Sequence, residues 1–210
     1  MSDIRVVCFD WGGVLLRICR TFDEGVKAAG LDQRKRNTTD VYDVRHDAAS
    51  RYQIGGMSDK AFFNNVSRSV DGLYTPEEVA QIHDAWLLGE YEGVRELIEE
   101  LNDVADLETA VLSNTNERHW QRRLTDFPAC SLATHQQASH LLGFAKPDPR
   151  IFTAFVNRVG VNAEGLLYFD DLKANVDAAI EAGWQAELID HTGDTCAQLR
   201  AHLAAHGVLD

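Results

Sequence analysis

Basic residues, cysteine and proline are scarce in this sequence, and it has no long apolar run. Of its 210 residues, 20 are Lys or Arg and 33 are Asp or Glu, which gives a formal net charge of −13 at pH 7. Nucleic acids and anionic membranes do not attract an acidic protein, so we expect neither as a partner. No apolar stretch approaches the roughly 18 residues of a membrane-spanning helix, and the N-terminus has no signal-peptide pattern.

The four cysteines are Cys8, Cys19, Cys130 and Cys196, and no two of them form a CxxC pair. Closely spaced cysteines are typical of zinc sites and of disulfide-rich secreted domains. Isolated cysteines favour reduced thiols inside a core. Together with the missing signal peptide, this pattern predicts a cytoplasmic protein.

Short apolar runs alternate with helical patterns along most of the chain. They predict strands at residues 4–9, 109–113, 166–169 and 186–189, with a fifth strand within 131–138. Runs this short and continuous are typical of parallel strands that are buried on both faces. Helices between parallel strands require right-handed crossovers. We therefore predict an α/β fold with a Rossmann-like, doubly wound parallel sheet.

Residues 17–88 interrupt this alternation, because their patterns are only helical. Helices are predicted near 22–29, 38–50, 58–69 and 75–88. A segment of about 70 residues is too long for a normal crossover, so we interpret it as an inserted all-helical cap. The predicted division is a catalytic core at 1–16 and 89–210, with the cap at 17–88.

Polar residues follow the apolar runs at the points where the strands end. In an open parallel sheet, ligands bind beyond the carboxyl ends of the strands, so these residues are expected at one edge. A lysine in a loop before a later helix can reach the same edge. The set comprises Asp10, Ser113, Asn114, Lys146, Asp170 and Asp171.

The chemistry of this set is complementary. Three carboxylates at one point repel each other unless a cation joins them, and oxygen ligands favour Mg²⁺. A hydroxyl, backbone N–H groups and an ammonium group suit a phosphate. A carboxylate beside both can act as a nucleophile and form an aspartyl phosphate. Gly12 and Gly13 let the backbone approach such ligands closely.

Four segments, in this order, resemble the haloacid dehalogenase (HAD) superfamily of hydrolases. They are FDWGGVL, VLSNTNERH, GFAKPDPRIF and YFDDLKANVDAA. The position of the helical segment resembles that of the family's first type of cap. The first two motifs resemble the phosphatase branch that contains glucose-1-phosphate phosphatase-like members. The resemblance implies a hydrolase of a small phosphorylated metabolite that requires Mg²⁺.

The resemblance also implies a role for each matching position. Asp10 is expected to be the nucleophile and a Mg²⁺ ligand, and the Gly12 carbonyl a second ligand. Asp171 is expected to bind Mg²⁺ directly, and Asp170 either directly or through water. Asn175 is expected to orient these groups.

The same resemblance implies a phosphate site. Ser113 and the amide of Asn114 are expected to hold the transferred phosphoryl group, and Lys146 to neutralise the nucleophile and the phosphate. In the cap, Arg45, Arg51 and Tyr52 are candidates for substrate contact.

One position departs from the family pattern. Family phosphatases usually have a second Asp two residues after the nucleophile, which protonates the leaving group, and here that position is Gly12. General acid–base catalysis is worth about 10²–10⁴-fold. His119 is our candidate replacement, since it lies near the start of the next helix and its pKa range suits the task. Alternatively, a good leaving group such as a sugar 1-phosphate or an acyl phosphate needs less protonation.

Two other functions stay open. A protein that has lost turnover could bind phosphate without hydrolysing it. The family's dehalogenases use the same Asp on a carbon–halogen bond without a metal, but they usually carry Tyr at the position of Gly12 and do not need the pair Asp170 and Asp171. Our prediction is Mg²⁺-dependent hydrolysis of a small phosphomonoester, with a sugar phosphate as a candidate substrate. The oligomeric state is not predicted.

Overall fold

A sheet of five parallel strands organises the chain. The computed structural model describes residues 3–34 and 41–209, with the side chains of residues 41–46 outside the description. The described ranges contain seven strands in all, and two of them, β2 and β3, lie outside this sheet. They are β1 (Val6–Phe9), β2 (Leu16–Ile18), β3 (Leu87–Glu90), β4 (Glu108–Ser113), β5 (His135–Ala138), β6 (Leu166–Asp170) and β7 (Gln185–Leu188). The parallel sheet has the order β5-β4-β1-β6-β7, so β1 is at its centre. The five strands predicted from the sequence are confirmed to within two residues, with the fifth at the end of its expected region.

Helices follow the strands in the predicted alternation. They are α1 (Phe22–Ala28), α2 (Val41–Tyr52), α3 (Asp59–Ser69), α4 (Pro76–Asp84), α5 (Val94–Asn102), α6 (Glu117–Gln121), α7 (Ala129–Leu132), α8 (Ser139–Leu142), α9 (Pro149–Val159), α10 (Lys173–Glu181) and α11 (Thr195–Ala205). Local signals fix their ends. Asp148 accepts the N–H of Arg150 at 2.9 Å to cap α9, and Thr75 and Glu78 form a capping box at the start of α4.

The two faces of the sheet have separate apolar clusters, because side chains alternate along each strand. Val7 and Phe9 pack with buried residues of α5 and α11. Val6 and Cys8 pack on the opposite face, with α9 and α10. Cys8 and the other three cysteines are buried free thiols, as predicted. Burial on both faces explains why β1 and β6 are continuously apolar in sequence.

Helices α1–α4 lie between β2 and β3 and form a third apolar cluster of their own. The structure differs from the predicted helical segment at its two ends. Leu16–Ile18 and Leu87–Glu90 pair as an antiparallel ribbon, and the helix expected at 75–88 ends at Asp84. Leu87 pairs with Ile18 and is buried, and Gly89 adopts a φ of +148° that a helix cannot use. In the described ranges, no helix is both long and apolar enough to cross a bilayer.

Candidate active site

The acidic residues predicted after the strands meet at one edge of the sheet. Asp10 directly follows β1, and Asp170 ends the neighbouring β6. The N–H of Asp10 donates to the carbonyl of Phe169 at 2.8 Å, which extends the strand pairing into the site. Asp10 is 7% exposed and Asp170 is fully buried. The carboxylates are therefore held at a dry sheet edge, where charge interactions are strong.

Lys146 joins the two carboxylates. Its Nζ lies 2.9 Å from Asp10 Oδ1 and 2.8 Å from Asp170 Oδ2, and it donates to the carbonyl of Leu112 at 2.8 Å. The amide of Asn114 positions the lysine, since it donates to the Lys146 carbonyl and accepts the Lys146 N–H, each at 2.8 Å. Asn114 therefore binds the backbone of Lys146 in addition to lining the cavity.

Both oxygens of Asp170 are occupied by hydrogen bonds. Asn175 Nδ2 donates to each of them at 3.0 Å, and the N–H of Leu172 donates to Oδ1 at 2.8 Å. Tyr168 OH donates to Oδ2 and accepts from Lys146 Nζ at 2.6 Å. These contacts fit the orienting role expected of Asn175, a role that stays a prediction. Tyr168 was not predicted, although it lies two residues before Asp170 and therefore on the same face of the strand.

Burial and mutual interactions shift the pKa values of Asp10, Lys146 and Asp170. Burial, with the nearby carboxylates, raises the pKa of Asp10 to about 7, although Lys146 opposes the shift. Burial alone would lower the pKa of Lys146, but Asp10 and Asp170 outweigh it and raise that pKa. Burial would raise the pKa of Asp170, but contacts with Lys146 lower it. Lys146 is thus a buried ammonium that holds Asp170 ionised.

Asp171 completes an acidic cluster. Oxygens of Asp10, Asp170 and Asp171 all lie within 4.8 Å of one another. Asp171 Oδ2 also accepts from Arg20 Nη1 at 2.7 Å. Gly13 lies against this cluster at a φ of +98°, and a Cβ there would come within 2.4 Å of the Asp171 carboxyl carbon. An all-oxygen donor set beside backbone that leaves room for it fits a hard divalent cation.

His119 lies on the short helix after the phosphate-loop candidate Ser113, as predicted. Its Nε2 lies 2.7 Å from the carbonyl of His83, and the two rings stack at 3.8 Å. A carbonyl only accepts, so Nε2 carries the proton and Nδ1 is unprotonated. Burial lowers the pKa of His119 to about 4 and also lowers that of His83. At neutral pH, His119 is uncharged and its proton is already bonded.

A cavity of about 360 Å³ opens onto the sheet edge. Asp10, Gly12, Ser113 and Asp171 line one side of it, and residues of α1–α4 line the other. Ser113 is buried and lines the cavity together with the carboxylates of Asp10 and Asp171.

The three residues predicted as candidates for substrate contact differ in their positions relative to the cavity. Tyr52 lines the cavity, Arg51 is exposed and does not line it, and Arg45 lies outside the described side chains. Trp11 both lines the cavity and packs edge-on against Trp120 with ring centroids 5.6 Å apart.

Residues 4–183 match the family described as haloacid dehalogenase-like hydrolase. The chain belongs to this family. The matched range includes the sheet edge, the cavity and helices α1–α4, so the HAD-like assignment covers the whole candidate site.

Phosphatase MT3486 of Mycobacterium tuberculosis (strain CDC 1551 / Oshkosh) is 29% identical over 136 residues, which are 64% of this HAD-like chain and 62% of that protein. The match thus spans less than two thirds of that relative. HAD family enzyme bt-2542 from Bacteroides thetaiotaomicron has a TM-score of 0.77 at 20% identity, covering 94% of this chain and 98% of that one.

A second structure of the same Bacteroides protein, in complex with magnesium and inorganic phosphate, has a TM-score of 0.71 at 18% identity, with 91% and 96% covered. The L-2-haloacid dehalogenase from Xanthobacter autotrophicus, with chloropropionic acid covalently bound, has a TM-score of 0.66 at 16% identity, with 99% and 85% covered. At these identities the likenesses show the HAD-like fold.

Besides Tyr168, sequence reasoning missed two residues of this HAD-like site. Arg20 pairs with Asp171 across 151 positions, and His83 meets His119 across 36 positions. Neither has a local sequence signal, because each contact exists only when the segment between β2 and β3 folds onto the sheet edge.

Proposed function

We propose that this chain is a magnesium-dependent hydrolase of small phosphomonoesters that acts through an aspartyl phosphate on Asp10. The observation that carries the proposal is the position of Asp10, 2.9 Å from a buried ammonium and within 4.8 Å of the other two carboxylates. A relative named as a phosphatase and a neighbour crystallised with magnesium and phosphate support the same chemistry.

The proposed reaction has two displacements at phosphorus. A carboxylate oxygen of Asp10 forms a bond to phosphorus while the bond to the ester oxygen breaks, and that oxygen leaves with the electron pair and takes up a proton from solvent water. Water then attacks the same phosphorus and the bond to Asp10 breaks, which gives inorganic phosphate and restores the carboxylate. Lys146 and Ser113 are proposed to stabilise charge on the phosphoryl oxygens.

Four groups are proposed to hold the cation: the carboxylates of Asp10, Asp170 and Asp171 and the carbonyl of Gly12. When bound, Mg²⁺ would supply positive charge for the phosphoryl oxygens. Arg20 now pairs with Asp171, so a cation at this cluster would compete with the guanidinium for that carboxylate.

Gly12 stands where family phosphatases usually carry the Asp that transfers protons, so the proposed reaction lacks that group. In the arrangement described above, His119 has an unprotonated Nδ1 and so can accept a proton from water but has none to give. We therefore propose His119 as a base for the second displacement and expect leaving groups that need little protonation. Acyl phosphates and aryl phosphates meet this condition, as does a sugar 1-phosphate.

We propose that residues 17–88 act as a cap of the first type that closes over the sheet edge. Its own apolar cluster supports this division. Sugar phosphates, which the glucose-1-phosphate phosphatase-like members suggest, belong in the first substrate panel.

The test is hydrolysis of p-nitrophenyl phosphate with and without Mg²⁺. The wild type should turn over only with the metal, and Asp10→Asn should lose at least about 10³-fold in kcat, because the nucleophile is removed. Asp177→Asn is the matched control, since this exposed carboxylate on α10 pairs only with Lys173 among the described residues. Metal-independent activity, or equal activity in Asp10→Asn, would overturn the proposal.

Two other functions have distinct outcomes in the same experiment. A silent phosphate-binding protein, favoured by the missing proton donor at Gly12, would bind phosphate with Mg²⁺ but hydrolyse nothing across the panel. A dehalogenase, favoured by the fold likeness to the Xanthobacter enzyme, would release halide from a 2-haloacid without metal.

A further inference from the structure

The side of the cavity opposite the carboxylates is apolar. We call it the helical wall and define it by Phe22, Phe62, Val66, Val79, Ile82 and Trp86. The first five are buried, with at most 8% of any residue exposed. They come from α1, α3 and α4, and therefore from elements outside the parallel sheet. Where the cavity is charged, the charges are Asp10, Arg20 and Asp171 at the sheet edge.

The polar groups beside the helical wall are already engaged. Tyr52 OH donates to Asp59 Oδ1 at 2.8 Å, and the Nε2 of His83 faces Asn116 Oδ1 at 3.4 Å. Burial keeps His83 uncharged by lowering its pKa. Gln53 also lines this side, and its amide is the one side-chain group there without a hydrogen bond in the described part of the chain.

Aromatic rings contribute to this surface. Tyr52 and Phe62 stack with centroids 4.2 Å apart, and Phe62 meets His83 edge-on at 5.4 Å. His83 stacks in turn on His119, which lines the cavity from the sheet side. These rings form a continuous series from the helical wall to the candidate base. Stacked rings already cover each other's faces, so a bound aromatic ring would extend the series through edge-to-face contacts, a geometry that aromatic pairs favour.

Burial against this wall favours one class of leaving group. A sugar hydroxyl that leaves water for an apolar surface without a new partner loses hydrogen bonds, which is strongly unfavourable. One free amide cannot satisfy the several hydroxyls of a sugar. An alicyclic or aromatic ring has no such penalty and gains from leaving water.

We propose that the preferred substrate is a phosphomonoester of an apolar, ring-sized phenol, with its phosphate at Asp10 and its ring on the helical wall. The inference rests on the proposed function and names the substrate class of the same site. It separates this chain from the sugar phosphate specificity that its first two motifs suggest.

The test compares phenyl phosphate with 3,5-dihydroxyphenyl phosphate. Both are aryl phosphates whose leaving groups need little protonation, and they differ chiefly in the two ring hydroxyls. We expect kcat/KM to be at least about tenfold higher for the apolar ester, the lower end of the discrimination expected of apolar pockets. An equal or higher kcat/KM for 3,5-dihydroxyphenyl phosphate would overturn the inference.

A variant with a larger side chain tests whether the preference for an apolar ester arises in the cavity. Ala49 lines the cavity but is exposed on α2, so Ala49→Trp should fold and narrow the opening. We expect it to lower kcat/KM for phenyl phosphate more than for acetyl phosphate, whose acyl group is small. Ala28→Trp is the matched control on α1, since Ala28 is exposed and does not line the cavity. An equal loss on both substrates in Ala49→Trp would contradict a ring seated on the helical wall.

Acetyl phosphate also distinguishes the two proposals. If it is hydrolysed with Mg²⁺ while the apolar ester is not preferred, the substrate class is wrong and the proposed function stands. If acetyl phosphate and both esters are inert, the proposed function fails, and the substrate class fails with it.

Discussion

The two sides of the cavity differ in polarity. At the sheet edge, Asp10, Lys146 and Asp170 form a buried network in which nearly every polar atom has a partner. Across the cavity, the helical wall consists of apolar side chains and has no charge among the described residues. The first arrangement fixes where charge is stabilised. The second decides which group can accompany the phosphate.

This contrast assigns chemistry and selectivity to separate parts of the chain. The sheet edge comes from strands that lie far apart in sequence but adjacent in the sheet, whereas the helical wall comes from one continuous segment. Substitutions at the sheet edge should therefore affect all substrates alike, and substitutions at the helices should change the preference among substrates.

The largest effect is expected from Lys146→Met. The substitution leaves Asp10 and Asp170 buried without their ammonium partner. We expect a loss of about 3–5 kcal/mol in the free energy of unfolding, measured in urea, and at least about 10³-fold in kcat on every substrate.

Lys173→Met is the control for that change. Lys173 is an exposed lysine that pairs with Asp177 on α10, so its loss should alter stability by no more than about 0.5 kcal/mol. A similar loss in both variants would mean that Lys146 is not central to the network.

A smaller effect is expected from Gly13→Ala, which tests how tightly the sheet edge is packed. The new Cβ would lie 2.4 Å from the Asp171 carboxyl carbon, so the carboxylate must move. A displacement of this kind lowers kcat by about 10²-fold, and Mg²⁺ affinity measured by calorimetry should fall with it.

Gly30→Ala separates this displacement from backbone strain. Gly30 has a φ of +69° and open space around its Cβ position, so the variant should lose about 1 kcal/mol of stability and keep its kcat. If Gly30→Ala reduced kcat as much as Gly13→Ala, contact with Asp171 would not be the cause.

The free energy of unfolding should depend on pH through His119, which joins the two sides by its contact with His83. Burial places its pKa at about 4 in the folded chain, below the value of about 6.5 in the unfolded chain. Between these values the unfolded chain binds more protons, so stability is full above about pH 6.5 and is lost as the pH falls. From pH 7 to pH 5 this residue should remove about 2 kcal/mol of the free energy of unfolding.

His119→Phe keeps a ring beside His83 but cannot take up a proton. Urea unfolding of this variant at both pH values should give a smaller difference than the wild type. An unchanged difference would show that other groups cause the acid sensitivity.

The smallest effect on catalysis is expected from Gly25→Ala, which tests the helical side. A Cβ at this position would come within 2.9 Å of Ile82 and 3.0 Å of Trp86, so α1 must move away from α4. Overpacking of this kind lowers stability by about 1–3 kcal/mol, and kcat/KM for phenyl phosphate should fall several-fold while that for acetyl phosphate changes less.

Gly165→Ala provides the comparison, because its Cβ would make only ordinary contacts, 3.5 Å or longer. It should leave stability and both kcat/KM values near those of the wild type. If acetyl phosphate hydrolysis fell as much as that of the apolar ester in Gly25→Ala, the two sides would not act separately.

Much of the sheet edge could be predicted because its signals are local. A short apolar strand followed by Asp10 or Asp170 is readable from a few adjacent residues, and parallel pairing then brings the strand ends together. The caps at Thr75 and Asp148 are readable for the same reason. The ribbon of β2 and β3 was missed, because its strands of three and four residues pair across the whole helical segment and show no clear alternation.

The sequence by itself determined the order of strands and helices, the acidic residues at the strand ends and their resemblance to the HAD superfamily. The tertiary structure decided that Arg20 meets Asp171, that His119 donates a hydrogen bond to the His83 carbonyl, and that the helical wall faces the nucleophile. The physical reason is the range of the interactions. Strand and cap signals act between neighbours in sequence, whereas the charge, the protonation state and the polarity of a cavity depend on which distant side chains share it and exclude water.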